Sequence, residues 1–154
     1  MSKLSVGTKV PDMRFTTTAG EESFAEAAGE KLVVYFFPKA MTTGCTLESQ
    51  QFRDLHAKFK RAGVRVLGAS KDGLAAQEKF KAKEKLPFEL VADVDGKLCG
   101  LFDVIREKSM YGRKFMGIER STFLLDAKGV LRQEWRKVKV NGHAEEVLEA
   151  AKSL

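Results

Sequence analysis

The stretch Leu32-Val33-Val34-Tyr35-Phe36-Phe37-Pro38-Lys39-Ala40-Met41-Thr42-Thr43-Gly44-Cys45 decides how the rest of the chain is read. Its first six residues are branched or aromatic, the pattern of a strand buried on both faces. Pro38 ends the strand, because it has no N–H to give a neighbour. A short loop follows, and Cys45 then stands where a helix opens. Phe52, Leu55, Phe59 and Ala62 recur at helical spacing, and Gly63 stops the run. A strand that feeds a helix through a short loop begins a β-α-β unit, and such units build parallel sheets.

The flanking sequence extends this unit. Residues 64–69 form a second buried strand. Asp72 is placed to cap a helix over 74–85, which Pro87 closes. Residues 88–91 read as a short strand, 93–96 as a turn, and 98–102 as a short helix that carries Cys99. Upstream, residues 10–16 partly alternate, as a half-buried strand does, and Gly20 turns the chain. Residues 106–117 have no clean period and read as a long loop. A strand over 121–125 turns at 126–129 into an antiparallel partner over 130–138. A last helix gathers Ala144, Val147, Leu148 and Ala151 on one face. The expectation is one α/β domain over 1–154: three layers, α/β/α, around a mixed central sheet.

Composition narrows the function classes. Of 154 residues, 44% are hydrophobic and 31% charged, the balance of an ordinary globular chain that folds without staples. No apolar run approaches the roughly 18 residues of a membrane span. The first seven residues lack the apolar segment of a secretory signal, so the cytoplasm is the expected compartment. The net charge is +6, but Lys and Arg alternate with Asp and Glu. That is a solvated surface. A nucleic-acid module built on the basic stretches 106–114 and 132–139, with Tyr111 and Trp135 as stacking faces, would lack any accompanying recognition motif.

Two cysteines, Cys45 and Cys99, do not make a disulfide scaffold. With His56 and His143 they show no ligand spacing, so neither metal nor cofactor is expected. Neither histidine is required as a base: His56 reads as a surface residue and His143 as part of a helix start. Cys45 is the chemical candidate. A helix's first turn offers unpaired N–H groups and a positive dipole end, and both favour negative charge on sulfur. A structural cysteine usually sits among apolar neighbours. Thr42, Thr43 and Gly44 are small or polar, and Gly44 admits close approach to the backbone.

The segment Pro38-x-x-x-Thr42-x-x-Cys45 after that strand resembles the peroxiredoxin signature, most closely in the bacterioferritin comigratory protein or PrxQ branch. Gly117-Ile118-Glu119-Arg120-Ser121-Thr122 resembles the family's arginine-bearing strand start. The resemblance covers the whole chain and implies a thioredoxin-like fold. It implies a peroxidase acting on hydrogen peroxide and organic hydroperoxides, with Cys45 as nucleophile and Thr42, Arg120 and Pro38 completing the catalytic group. The backbone N–H groups of Gly44 and Cys45 would form an anion-binding cup, and Glu48, one helical turn after Cys45, would orient an arginine by a bidentate pair. A dithiol reductase would need Cys-x-x-Cys, and Thr42 stands at the first position. Without a partner in view, Glu48 reads as a helix-surface charge.

Magnitudes show why the group is needed. A free thiol is only ~3% ionised at pH 7, so full ionisation gains at most ~30-fold. The rest must come from stabilising charge on the departing oxygen. The resulting sulfenic acid must then be reduced. The branch often carries a second cysteine five residues on, where Gln50 stands, or in the next helix, which here has none. Cys99 sits among Leu98, Leu101 and Phe102, a setting for packing. The expectation is therefore a one-cysteine cycle in a monomer, with thioredoxin or glutathione/glutaredoxin as reductant. A two-cysteine cycle through Cys99 is the alternative, and a thioredoxin-like module without turnover is the rival class. Phe115 and Met116 are candidates to receive alkyl chains, because 106–117 leads into Arg120.

Overall fold

The computed structural model describes residues 4–154; of the N-terminal reading, Met1–Lys3 lie outside these. The decisive stretch forms β3 (Lys31–Phe36) and, after the loop, α2 (Thr43–Asp54). Then follow α3 (His56–Arg61), β4 (Val64–Ser70), α4 (Leu74–Glu84) and β5 (Glu89–Ala92). β3, β4 and β5 run parallel, as two consecutive β-α-β units require. Ahead of them lie β1 (Arg14–Thr17), β2 (Gly20–Ser23) and the single turn α1 (Phe24–Ala27). Behind them come α5 (Lys97–Leu101), the hairpin β6 (Ile105–Met110) and β7 (Arg113–Ile118), β8 (Ser121–Leu125), β9 (Leu131–Trp135) and α6 (His143–Lys152). The main sheet is mixed, in the order β2-β1-β5-β4-β3-β8-β9.

Alternation along β3 divides the interior. Val33, Tyr35 and Phe37 face a core with Phe52, Phe59 and Phe80 from α2, α3 and α4, and with Val147 from α6. Leu32, Val34 and Phe36 face a second core with Phe24 and Phe102 near α1 and α5. The sheet is thus covered on both sides, giving three layers. The two cysteines lie in different cores: Cys45 in the first, Cys99 in the second.

Tyr35 fixes the helix that carries Cys45. Its ring stacks on Phe52 of α2 at 4.6 Å, and its hydroxyl lies 2.8 Å from Ser49 Oγ. Only glycine permits this at position 68: a Cβ there would meet the Tyr35 ring at 2.7 Å. From the far end of α2, Gln50 and Arg53 reach Glu84 at the end of α4.

Several expectations are corrected. Residues 106–117 are not a loop but a two-stranded hairpin outside the main sheet. Its turn, Tyr111-Gly112, has positive φ at both residues, the geometry a two-residue hairpin wants. The single helix expected from Cys45 to the stop at Gly63 is broken at Leu55 into α2 and α3. Gly20 does not merely turn the chain; it starts β2, a short polar edge strand. The first strand begins at Arg14, later than residue 10. Asp72 does not cap α4. The cap position is Gly73, and the Asp72 carboxylate accepts instead from Ala40 N and Ser70 Oγ. His143 does open α6, but its ring is buried, 2.8 Å from Thr122 Oγ1.

Candidate active site

Sheet register brings the candidates together. Phe36 at the end of β3 pairs with Ser121 at the start of β8, so Arg120 lies where β3 gives way to the loop. That loop, residues 37–42, delivers α2 to the same edge. Cys45, Glu48, Ser49 and Phe52 are the buried residues of α2, at spacings of three and four, so one helical face carries them all inward.

Arg120 bridges two of these residues. Its Nη1 donates to Glu48 Oε1 at 2.6 Å and its Nη2 to Cys45 Sγ at 3.5 Å. A planar guanidinium serves two acceptors at a fixed angle, which a lysine ammonium does not. Gly44 makes the room: a Cβ there would stand 3.1 Å from Arg120 Nη2. Thr42 occupies the cap position of α2, yet its side chain does not cap. Its hydroxyl donates to Lys39 O at 2.9 Å, which leaves the oxygen free only to accept. The first intrahelical bond runs from Thr46 N to Thr42 O, so the N–H groups of residues 43–45 stand ahead of it. Cys45 is fully buried, whereas Thr42 is exposed and Arg120 keeps 16% of its side chain in solvent.

Glu48 is not the surface charge its sequence suggests. Its side chain is 1% exposed, and among the described residues nothing hydrogen-bonds its Oε2. Burial pushes its carboxyl up from 4.5 to about 7, against the pull of Arg120. The folded state therefore holds this proton more tightly than the unfolded chain. Stability from that difference is complete below pH 4.5 and is lost as pH rises through about 7. His143 has the opposite sign. Burial lowers it from 6.5 to about 4, so its contribution is lost as pH falls through that range. The two slopes oppose each other in wild type, and a variant separates them. Glu48→Gln is expected to keep, at pH 8, up to about 3 kcal/mol that wild type loses relative to pH 4.5. Urea melts of both proteins across that range measure it; parallel curves would refute the shifted carboxyl.

Cys99 stands apart from this group. It is fully buried in the second core, its N–H donates to Asp93 Oδ2 at 2.8 Å, and burial first, then Asp93, pushes its thiol well above the usual range. Pro38 is half-buried in the loop before α2. Phe115 and Met116 are both exposed and, as neighbours on β7, point to opposite faces of the hairpin. Met116 shares the face of Ile105 and Ile118, Phe115 that of Lys108. Among the described residues no group of three or more acidic, histidine or cysteine side chains is arranged to hold a metal. No helix there is long and apolar enough to cross a membrane.

Comparison with known proteins agrees with this architecture. The model of the AhpC/TSA family matches residues 6–134. The chain is 48% identical to peroxiredoxin Bcp of Xanthomonas campestris over 143 residues, covering 92% of this chain and 89% of that one. It is 43% identical to peroxiredoxin Bcp of Bacillus subtilis over 152 residues, covering 98% and 97%. Among solved structures, PrxQ of Xylella fastidiosa superposes with a TM-score of 0.92 at 37% identity, over 99% of this chain and 98% of that one. The Xanthomonas bacterioferritin comigratory protein, solved as a trapped intermediate/ligand complex in connection with its alkyl peroxide reduction, gives 0.87 at 46%, over 92% and 90%. The chain has the thioredoxin-like peroxiredoxin fold and belongs to the AhpC/TSA family, within its Bcp/PrxQ peroxiredoxins.

Proposed function

We propose that Cys45 is the peroxidatic nucleophile of this hydroperoxide reductase and that it works in a one-cysteine cycle. The observation that carries this reading is the Arg120 guanidinium spanning Cys45 Sγ and the buried Glu48. Arg120 and the uncapped helix end both stabilise negative charge on sulfur. The peroxide enters on the side of Thr42 and Arg120, which are open to solvent. Its O–H donates to the Thr42 hydroxyl, whose own hydrogen is committed to Lys39 O. The sulfur pair attacks the distal oxygen. The S–O bond forms, the O–O bond breaks, and its electrons leave on the proximal oxygen; the distal oxygen keeps its hydrogen, and the proximal one takes a proton from solvent at the open side of the site and departs as alcohol or water. Arg120 Nη2 turns from sulfur to the departing oxygen, while Glu48 keeps the guanidinium in plane. Pro38 limits water at the loop. Sulfur, oxidised by two electrons, is left as sulfenic acid. An external thiol attacks it and releases water, and a second thiol frees Cys45 as a disulfide leaves.

The position of Cys99 supports the one-cysteine cycle over a Cys45–Cys99 pair. A disulfide needs Cα atoms within roughly 7 Å. These two cysteines lie in cores on opposite faces of the sheet, and Cys99 is held by Asp93. The whole chain acts as one unit, because α6 packs on α2 and α3. We assign it to the cytoplasm as a monomer, with thioredoxin or glutathione/glutaredoxin as the thiol source and no nucleic-acid partner. In line with the last point, Arg132 is paired with Asp126, Arg136 serves the carbonyls of Phe102 and Asp103, and Trp135 donates to Glu146. Since Phe115 and Met116 face opposite ways, only one of them can meet an alkyl chain in a given pocket.

The test is turnover of hydrogen peroxide and cumene hydroperoxide by wild type and Cys99→Ser, with dithiothreitol, thioredoxin or glutathione/glutaredoxin as donor. Both proteins are expected to turn over alike with every donor that works. Loss of thioredoxin-dependent turnover in Cys99→Ser alone would establish the two-cysteine cycle instead. Absence of turnover with all donors would leave a thioredoxin-like module without catalysis.

A further inference from the structure

The loop that precedes Cys45 is held from outside its own segment. Ala40 N donates to Asp72 Oδ2 at 2.8 Å, across 32 residues of sequence. The same oxygen accepts from Ser70 Oγ at 2.6 Å. Ser70 is fully buried and accepts in turn from Gln77 Nε2 at 2.9 Å, and that amide also donates to Val91 O. The tether therefore runs from β5 through α4 and the end of β4 to the loop. It meets the loop one residue before Met41, whose φ is +68°. A side chain in that conformation persists only where its surroundings hold it. The next residue is Thr42, and its hydroxyl is bound back to Lys39 O inside the same loop.

We infer that Asp72 is a positioning residue for the peroxide site, holding the Ala40–Thr42 backbone so that the Thr42 oxygen stays aimed at the substrate. The inference rests on the peroxidase reading above. Asp72 touches neither Cys45 nor Arg120 in any hydrogen bond described, so it acts on placement of the substrate and not on the charge state of the sulfur. A small displacement of a positioning group is enough to cost a large factor in rate.

Asp72→Ala and Asp72→Asn are compared with wild type in three measurements: kcat/KM for peroxide, the pH dependence of Cys45 alkylation by iodoacetamide, and amide exchange at residues 40–42. Asp72→Ala is expected to lose about tenfold or more in kcat/KM and to exchange faster at Ala40, with the alkylation profile unmoved. Asp72→Asn keeps an oxygen acceptor and is expected within about threefold of wild type. Wild-type kcat/KM in Asp72→Ala would overturn the inference, and so would a loss matched by an equal shift in the alkylation profile. If Asp72→Ala does not fold, Ser70→Ala decides. It removes the hydroxyl that holds the carboxylate, and an unchanged kcat/KM there would also overturn it. A wild-type chain without peroxide turnover, or Cys45→Ser with turnover, would instead overturn the peroxidase reading.

Discussion

Cys45→Ser is expected to consume no peroxide above the rate of the thiol donor alone. A serine hydroxyl is not ionised near neutral pH and cannot cycle through an oxidised state, so the variant loses both nucleophile and redox centre. The fold should survive. Serine has nearly the same shape, and Arg120 Nη2, which donates to the sulfur, can donate to the new oxygen. The cost of one buried hydroxyl is about 1–3 kcal/mol at most when it is left without a partner, and here it has one. Circular dichroism and melting temperature should stay near wild type. Residual turnover at even a hundredth of the wild-type rate would move the chemistry to another group.

The second large effect is at Arg120. Ionisation of the thiol accounts for at most ~30-fold. Losing one donor to charge that develops in the transition state costs a further ~10²–10³-fold in comparable sites. Arg120→Ala is therefore expected to lose about 10³-fold or more in kcat/KM for peroxide. Arg120→Lys should recover little, since a single ammonium cannot span Glu48 Oε1 and Cys45 Sγ together. The alanine variant also leaves Glu48 buried without its cation, an arrangement that costs several kcal/mol when the charge stays. Glu48 can shed that charge by taking a proton, because its carboxyl already stands at about 7. Assays near pH 6 thus separate the catalytic loss from unfolding. Rate profiles from pH 6 to 9 decide the rest: full recovery at high pH would show that Arg120 serves only to ionise the thiol.

How legible this was in the sequence depends on where each signal lies. The central sheet was visible because β3, β4 and β8 are buried on both faces, so each carries a continuous apolar run. Cys45 was visible because its helix opens one short loop after such a strand, behind small and polar residues. The hairpin was hidden because both its faces are largely exposed and carry charge, which erases the alternation. Only Gly112, between two stretches of equal length, marks it. β2 was hidden for a similar reason, being four residues long and polar at an edge.

Glu48 and Asp72 show a different limit. The partner of Glu48 is 72 residues away, and that of Asp72 is 32 residues back. Local rules assign an acidic residue in such places to a surface or a cap, which is correct unless a distant group claims it. The available sign for Glu48 was spacing: positions 45, 48, 49 and 52 share one helical face, and Phe52 marks that face as buried. Asp72 carried no comparable sign. Its role depends on where the loop at Ala40 crosses the end of β4, which the parallel pairing of β3 and β4 determines.

Whether substrate oxidises Cys45 alone is read out by mass spectrometry. The reduced protein is treated with one equivalent of hydrogen peroxide in the presence of dimedone, then digested without reductant. A dimedone adduct is expected on the peptide that contains Cys45, with an unmodified thiol at Cys99. An adduct on Cys99, or a Cys45–Cys99 disulfide as the main product, would contradict it.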